Sequence, residues 1–222
     1  MENNKELLKT KEFNAEEMLE VLQQSRQFMA IFNEYHSAIM EVETKLRVLD
    51  MELSMDMDKN PIETIHSRLK RPKSILEKLQ RKELPVTLES MRENLLDIAG
   101  VRVICDFIDD IYKLEKLLSD QNDITVLSRK DYIKNPKPNG YRSLHLTISV
   151  PIFLTEGVKN VPVEVQFRTM AMDFWSVLEY QLQYKKKNEK VRAAQEQLKE
   201  CAMDIKAVEG KMYELKTLIE EM

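Results

Sequence analysis

The stretch VPVEVQFRT, Val161–Thr169, alternates between apolar and polar side chains after its first two residues. Because successive side chains of a β-strand point to opposite faces, such alternation gives a strand one apolar face and one polar face. The apolar face is formed by Val161, Val163, Val165 and Phe167, and the polar face by Glu164, Gln166 and Arg168. The stretch therefore predicts a strand that is packed on one side and open on the other.

Two further stretches follow the same pattern. They are DIAGVRVICDF, Asp97–Phe107, in which Arg102 lies opposite the apolar positions, and SLHLTISV, Ser143–Val150. A fourth strand is predicted at Ile124–Lys130, after a helix over about Asp109–Ser119. Strands with one apolar face need a layer of helices on that face only. The sequence therefore predicts an α+β fold in which a mixed sheet of about five strands packs on helices by one face and leaves the other open.

Helical periodicity dominates the N-terminal part of the chain. Apolar residues recur at helical spacing from Asn14 to about Met57, and Asn14 with Glu17 fits an N-cap and its reciprocal acidic residue. This segment is either one long helix or two helices with a bend. A shorter helix is predicted to begin at Pro72, because proline is favoured in the first turn of a helix.

The C-terminal segment carries a heptad pattern. Its apolar residues are spaced alternately by four and three positions: Cys201, Ile205, Val208, Met212, Leu215, Ile219 and Met222. We call this set the heptad seam. A seam of this kind indicates packing against another helix. Two partners fit it, the N-terminal helices of the same chain or a second copy of the chain.

Length and composition favour one domain. The 222 residues can bury one core with helical additions: N-terminal helices over about 1–60, a core over 61–187 and a C-terminal helix over 188–222. The apolar runs are far shorter than the roughly 20 residues that span a bilayer, and the charged N-terminus is unlike a secretory signal. These features predict a cytoplasmic protein without a membrane partner.

Metal-ligand spacing is missing from the cysteines and histidines. The two cysteines, Cys105 and Cys201, lie far apart, and the three histidines are equally scattered. This distribution argues against a zinc site and predicts that both thiols are packed as small hydrophobic groups.

Phosphate recognition, if present, must use Lys and Arg side chains. The four glycines cannot form a GxxxxGK phosphate loop or a GxGxxG dinucleotide turn. Two segments are rich in basic residues: Ile65–Lys82 has seven Lys or Arg against one acidic residue, and Lys130–His145 has four together with two tyrosines. A solvated surface is the alternative interpretation of such charge runs.

Two carboxylates accompany these basic segments. Asp97 precedes a predicted strand and could be a turn or cap residue, and Glu164 could pair with Arg102 or Arg168. Taken together, two carboxylates on a basic face indicate Mg²⁺, which is typically held by one or two carboxylates and substrate phosphates. Tyr141 and Arg68 or Arg102 are suited to stacking on nucleobases.

Four segments in order resemble a known family. They are SRLKRPKSILEKL, LDIAGVRVICDF, KDYIKNPKPNGYRSLHL and VEVQFRTMAMDFW. They are similar to the synthetase domain of the RelA/SpoT family, and specifically to its single-domain members, the small alarmone synthetases, over about Asn60–Lys187. The resemblance implies Mg²⁺-dependent transfer of the β,γ-pyrophosphate of ATP to the 3′-hydroxyl of GTP or GDP, which yields (p)ppGpp and AMP.

The resemblance also implies a role for each matching residue. Asp97 and Glu164 are the expected catalytic and metal-binding pair, with Glu164 also activating the 3′-hydroxyl. The expected ATP contacts are Arg68 and Arg102 around the adenine and Lys70, Ser74 and Lys78 on the phosphates. The expected GTP or GDP contacts are Tyr141 on the guanine and Lys130, Lys137 and His145 on the phosphates.

The family context leaves some expectations open. The sequence has no His-Asp dipeptide of the kind used by the hydrolase domain of long family members, so synthesis without hydrolysis is expected. An adenine nucleotide or the 3′ end of tRNA is an alternative acceptor, and the basic face is also compatible with single-stranded RNA. A homo-oligomer, with a tetramer favoured, is expected by resemblance, and activation by product stays open.

Overall fold

The computed structural model describes residues 25–57, 60–184 and 190–221. In chain order, the helices are α1 Arg26–Met57, α2 Pro72–Arg81, α3 Leu88–Asn94, α4 Ile108–Ser119, α5 Met170–Tyr184 and α6 Lys190–Glu220. The strands are β1 Ile62–Leu69, β2 Ala99–Cys105, β3 Thr125–Asp131, β4 Leu144–Leu154 and β5 Gly157–Thr169. The predicted α+β class is confirmed.

The five strands form one mixed sheet in the order β1-β2-β5-β4-β3. The central strands β2 and β5 pair in parallel, and the other neighbours pair antiparallel. The alternating apolar residues of β2, β4 and β5 are buried, with Val103, Leu146 and Val165 fully so. Helices α1 and α4 pack on this apolar face. The opposite face of the sheet carries the polar residues, as the alternation predicts.

Strand β1 supplies the fifth strand and has no clear signal in the sequence. It reads IETIHSRL, in which apolar and polar residues do not alternate, and its pairing with β2 shifts register between Ile62 and Thr64. As an edge strand it has a partner on one side only, so a regular apolar face is less necessary. The C-terminal end of β1 is the part that bears on the site, because it carries Arg68 and is followed directly by Lys70.

The helices agree with most predictions. Within the described residues the N-terminal segment is one helix, α1, and the predicted cap at Asn14 lies outside them. Helix α2 begins at Pro72 as predicted. None of the helices in the described ranges is both long enough and apolar enough to cross a bilayer.

Helix α6 corrects two expectations. It packs on α5, while Val208, Met212, Leu215 and Ile219 of the heptad seam are all more than half exposed. The alternative in which the N-terminal helices bury this seam is therefore wrong for the described residues, and Met222 lies outside them. Cys105 is buried as predicted, but Cys201 is exposed, because the seam on which it lies faces outward.

Candidate active site

The strand register brings the predicted residues into two rows on the open face. One row consists of His66, Arg102, Gln166, His145 and Lys130 as successive partners across the five strands. The other consists of Arg68, Gly100, Glu164, Thr147 and Ser128. Directly paired residues point to the same face of a sheet. Side chains from all five strands therefore share one surface.

Arg68 and Arg102 are diagonal neighbours on this surface. Arg68 pairs with Gly100, which is two residues before Arg102 on β2. Diagonal neighbours on adjacent strands are roughly 7–8 Å apart, which is enough for one planar ring between two planar groups in van der Waals contact. The spacing fits the predicted adenine sandwich.

Asp97 is paired with two lysines from the basic segment. Lys70 Nζ and Lys78 Nζ lie 2.7 and 2.5 Å from Asp97 Oδ2. The β1–β2 pairing continues past β1, because the Lys70 amide donates to the Ile98 carbonyl, and this contact sets Lys70 beside Asp97. Lys78 lies one turn after Ser74 on α2, so these two side chains share a helix face.

The surroundings of Asp97 keep it ionised. Burial alone would raise the pKa of Asp97, but hydrogen bonds and charge from Lys70 and Lys78 outweigh it and hold the pKa below its ordinary value. Its other oxygen, Oδ1, is buried and has no hydrogen-bond partner among the described residues. A buried carboxylate oxygen without a partner is costly unless a ligand satisfies it.

Glu164 is also held as a carboxylate. Gln166 Nε2 donates to Glu164 Oε2 at 2.6 Å, and His145 Nδ1 lies 3.4 Å from Oε1. Burial raises the pKa of Glu164, but the contacts with His145 and Gln166 outweigh it and lower the pKa overall. The charge of Asp97 acts in the opposite direction on Glu164, which indicates that the two carboxylates are close enough to interact. The alternative pairing of Glu164 with Arg102 or Arg168 is not seen in the described part of the chain.

The β3–β4 loop, residues 132–143, brings Tyr141 to the same surface. The Lys137 amide donates a hydrogen bond to the Tyr141 carbonyl at 3.1 Å. The Gly140 amide closes the turn by donating to the Lys137 carbonyl at 2.8 Å. Lys137 Nζ lies 4.8 Å from the centre of the Tyr141 ring. Lys130, at the end of β3, is exposed and lies beside His145 in the register. The loop thus gathers its aromatic and basic groups at one edge of the open face.

A chain of hydrogen bonds runs from this loop to Glu164. Arg168 donates to the Tyr141 hydroxyl at 2.9 Å, and that hydroxyl lies 2.8 Å from His145 Nε2. All contacts are satisfied when Tyr141 donates to Nε2 and Nδ1 carries the proton that faces Glu164. This series of hydrogen bonds fixes the orientation of the His145 imidazole and leaves Glu164 as the terminal acceptor.

One residue of the site, Asp173, was not identified from the sequence. Asp173 accepts from Arg168 at 2.9 Å and lies 3.4 Å from Arg102, so it joins the predicted adenine side to the tyrosine side. Arg168 was placed on the polar face by the strand alternation, but only as a possible partner of Glu164, whereas it donates to Tyr141. Asp173 gave a weaker signal, an acidic residue in the first turn of a helix, which is common for reasons unrelated to binding.

Comparison with known proteins gives consistent relatives. A family model described as a region found in RelA / SpoT proteins matches residues 67–189. The chain is 43% identical over 182 residues to the GTP pyrophosphokinase YwaC of Bacillus subtilis, covering 82% of this chain and 87% of the relative. It is 41% identical over 152 residues to the GTP pyrophosphokinase YjbM of Bacillus subtilis, covering 68% of this chain and 70% of the relative.

Solved structures agree with the sequence comparisons. The crystal structure of small alarmone synthetase 1 from Bacillus subtilis bound to its product pppGpp superposes with a TM-score of 0.79 at 35% identity, covering 88% of this chain and all of that chain (100%). Small alarmone synthetase 2 from Bacillus subtilis has a TM-score of 0.77 at 38% identity, covering 86% of this chain and 99% of that chain.

Proposed function

The chain belongs to the RelA/SpoT family, and on that premise we propose that it is a (p)ppGpp synthetase. It transfers the β,γ-pyrophosphate of ATP to the 3′-hydroxyl of GTP or GDP and releases AMP. The observation that carries this proposal is the open sheet face, on which Glu164 lies between the arginine pair and the tyrosine-bearing loop, with Asp97 just before β2 beside Lys70 and Lys78. Two polyanionic substrates need cations on both sides of the reacting atoms, and this face supplies them.

We propose that the donor nucleotide lies over β1, β2 and α2. Arg68 and Arg102 hold the adenine between their guanidinium planes, and Lys70, Ser74 and Lys78 contact the phosphates. In the structure both lysines are paired with Asp97. Phosphate oxygens that reach these lysines offer them a second anionic partner. Donor binding therefore loosens the hold of the lysines on Asp97.

Asp97 and Glu164 fit a Mg²⁺ ion. The fit rests on the partnerless buried oxygen of Asp97 and on the carboxylate chemistry of both residues. Carboxylate oxygens are the protein ligands that Mg²⁺ prefers, usually one or two of them with substrate phosphates. When bound, the ion neutralises charge that develops on the transferred phosphates.

The acceptor lies against the β3–β4 loop and β4. Tyr141 stacks on the guanine, and Lys130, Lys137 and His145 contact the acceptor phosphates. Glu164 accepts the proton of the 3′-hydroxyl, a role for which its lowered pKa keeps it ionised at neutral pH. A positioned general base contributes about 10²–10⁴-fold to such a reaction. Fixing both substrates on one rigid sheet adds the advantage of proximity.

The expected products define the first test. Incubation with ATP, GDP and Mg²⁺, followed by anion-exchange separation, should yield AMP and a 3′-pyrophosphorylated guanine nucleotide in equal amounts. ADP offered as acceptor should give far less product, and added Mn²⁺ should not cause breakdown of the product. AMP formation without the second product, or equal use of ADP and GDP, would contradict the assignment.

We further propose that the chain forms a homo-oligomer through the heptad seam, with a tetramer favoured. The support is the row of exposed apolar side chains on α6, from Val208 to Ile219. Light scattering coupled to gel filtration should give a mass near four times 26.2 kDa. Val208→Glu combined with Leu215→Glu should lower that mass, whereas a monomer mass for the unmodified chain would refute self-association.

A further inference from the structure

A buried charge cluster joins the β3–β4 loop to α6. Arg142 of the loop forms an ion pair with Glu209 of α6, and the two side chains are only 6% and 9% exposed. Thr169, at the end of β5, donates its hydroxyl to the other oxygen of Glu209. Glu209 thus connects the loop, the central strand β5 and the C-terminal helix in one contact.

The loop and the helix approach closely at Gly140. Gly140 has a φ of +92°, and a Cβ at this position would lie 2.6 Å from the Cβ of Ala202 on α6. Glycine is therefore required here both for the backbone conformation and for the close approach. The loop backbone at Gly140, between Asn139 and Tyr141, therefore packs directly on α6.

Two further contacts hold α6 in place on either side of Glu209. The indole N–H of Trp175 donates to the Leu198 carbonyl at 2.8 Å. Toward the other end, Lys216 lies 2.6 Å from Asp109 of α4 and 4.7 Å from the centre of the Phe107 ring. Because these two contacts do not involve the β3–β4 loop, they hold the backbone of α6 before and after Glu209 without help from the loop.

From these contacts we infer that Glu209 is a positioning residue for the acceptor side of the site, acting through Arg142 on Tyr141 and Lys137. Arg142 directly follows Tyr141, and Lys137 is tied to Tyr141 by a backbone hydrogen bond. A shift of Arg142 therefore moves the groups proposed to hold guanine and phosphate. The identity of that ligand rests on the proposed function.

The energetics favour a role in positioning. Burying a charged pair costs so much solvation that its net contribution to stability is often small, whereas its directional bonds restrict the geometry. Removing one partner leaves the other charge buried and unpaired, so the survivor moves toward water. For Arg142 such a movement takes the adjoining loop residues with it.

The test is the variant Glu209→Gln, which keeps the shape of the side chain and removes its charge. At saturating ATP, the KM for GDP should rise about tenfold, because misplacement of binding groups by about 1 Å has effects of this size or larger. The KM for ATP should change less than about twofold, since Arg68, Lys70 and Lys78 have no contact with α6 among the described interactions. An equal rise in both KM values, or an unchanged KM for GDP, would refute the inference.

Two comparisons separate positioning from general damage. Glu214→Gln makes the same charge change at an exposed site on the same helix and should leave both KM values unaltered. In an Arg142→Met background, Glu209→Gln should raise the KM for GDP by no more than about twofold further, because residues that act through one contact are not additive. Full additivity would show that Glu209 does not act through Arg142.

Hydrogen exchange tests the same inference without catalysis. The amides of Lys137 and Gly140 should exchange at least about fivefold faster in Glu209→Gln, whereas those of β2 and β5 should be unchanged. The fluorescence of Trp175, the one tryptophan of the chain, should also be unchanged if α6 stays docked. Unaltered exchange in the loop would overturn the inference even if the chain synthesises (p)ppGpp, and faster loop exchange would support it even if the wild type gave no product.

Discussion

Replacing Glu164 with Gln is expected to lower kcat by at least about 10³-fold while the fold stays intact. The amide has the shape of the carboxylate but cannot accept the proton of the 3′-hydroxyl, and loss of a general base costs about 10²–10⁴-fold. Because Glu164 is partly buried and contacts Gln166 and His145, the change is expected to lower the stability by about 1–2 kcal/mol without unfolding the chain. The rate of AMP formation at saturating ATP, GDP and Mg²⁺, together with the melting temperature, measures both parts of the expectation.

A matched control lies on the same hairpin. Glu156, in the turn between β4 and β5, is exposed, and no contact of its carboxylate is seen in the described residues. Glu156→Gln makes the same chemical change at the far end of the hairpin and should leave kcat within about twofold of the wild type. If Glu164→Gln folds normally and keeps more than about a tenth of the activity, the role proposed for Glu164 is wrong.

The sheet was predictable where periodicity is local. The alternation in β2, β4 and β5 depends only on neighbouring residues, so it identified the apolar face and placed Arg102, His145 and Glu164 on the opposite one. Strand β1 was not predictable in this way, because an edge strand with a register shift has no regular alternation. The position of Arg68 relative to Arg102 became clear only from the pairing of β1 with β2.

Contacts between distant segments could not be read from the sequence. Arg142 and Glu209 are separated by 67 positions, and no local pattern marks either residue as the partner of the other. The heptad seam was correctly recognised as apolar, but periodicity does not say which surface it meets. Asp173 illustrates the same limit, since its link to Arg102 depends on how α5 leaves the end of β5.

The pairing of Asp97 with Lys70 and Lys78 links donor binding to metal binding. The two ammonium groups lie against one oxygen of Asp97, and the other oxygen is buried without a hydrogen-bond partner among the described residues. A cation that approaches this carboxylate alone meets two positive charges. Donor phosphates draw those charges away and add negative charge beside Asp97. Metal and donor nucleotide are therefore expected to bind together more tightly than either binds alone.

Replacing Asp97 with Asn should remove this cooperativity and lower kcat by at least about 10²-fold. With a nonhydrolysable ATP analogue present, Mn²⁺ followed by its spin resonance signal should bind at least about tenfold more weakly than to the wild type, because a charged ligand is lost. Binding of the analogue without metal should become tighter instead, since Lys70 and Lys78 are no longer paired with a carboxylate. Weaker binding of Mn²⁺ together with tighter binding of the analogue is the result expected from the pairing of Asp97 with the two lysines.

Asp204 on α6 provides the control for this last comparison. It is exposed, and no contact of its carboxylate is seen among the described residues, so Asp204→Asn makes the same charge change away from the site. It should alter neither Mn²⁺ binding nor binding of the analogue. If Asp97→Asn weakened binding of the analogue equally with and without metal, the aspartate would be acting on the fold of the donor side. If Mn²⁺ instead bound Asp97→Asn as tightly as the wild type, the cation would be held by Glu164 and the phosphates without Asp97.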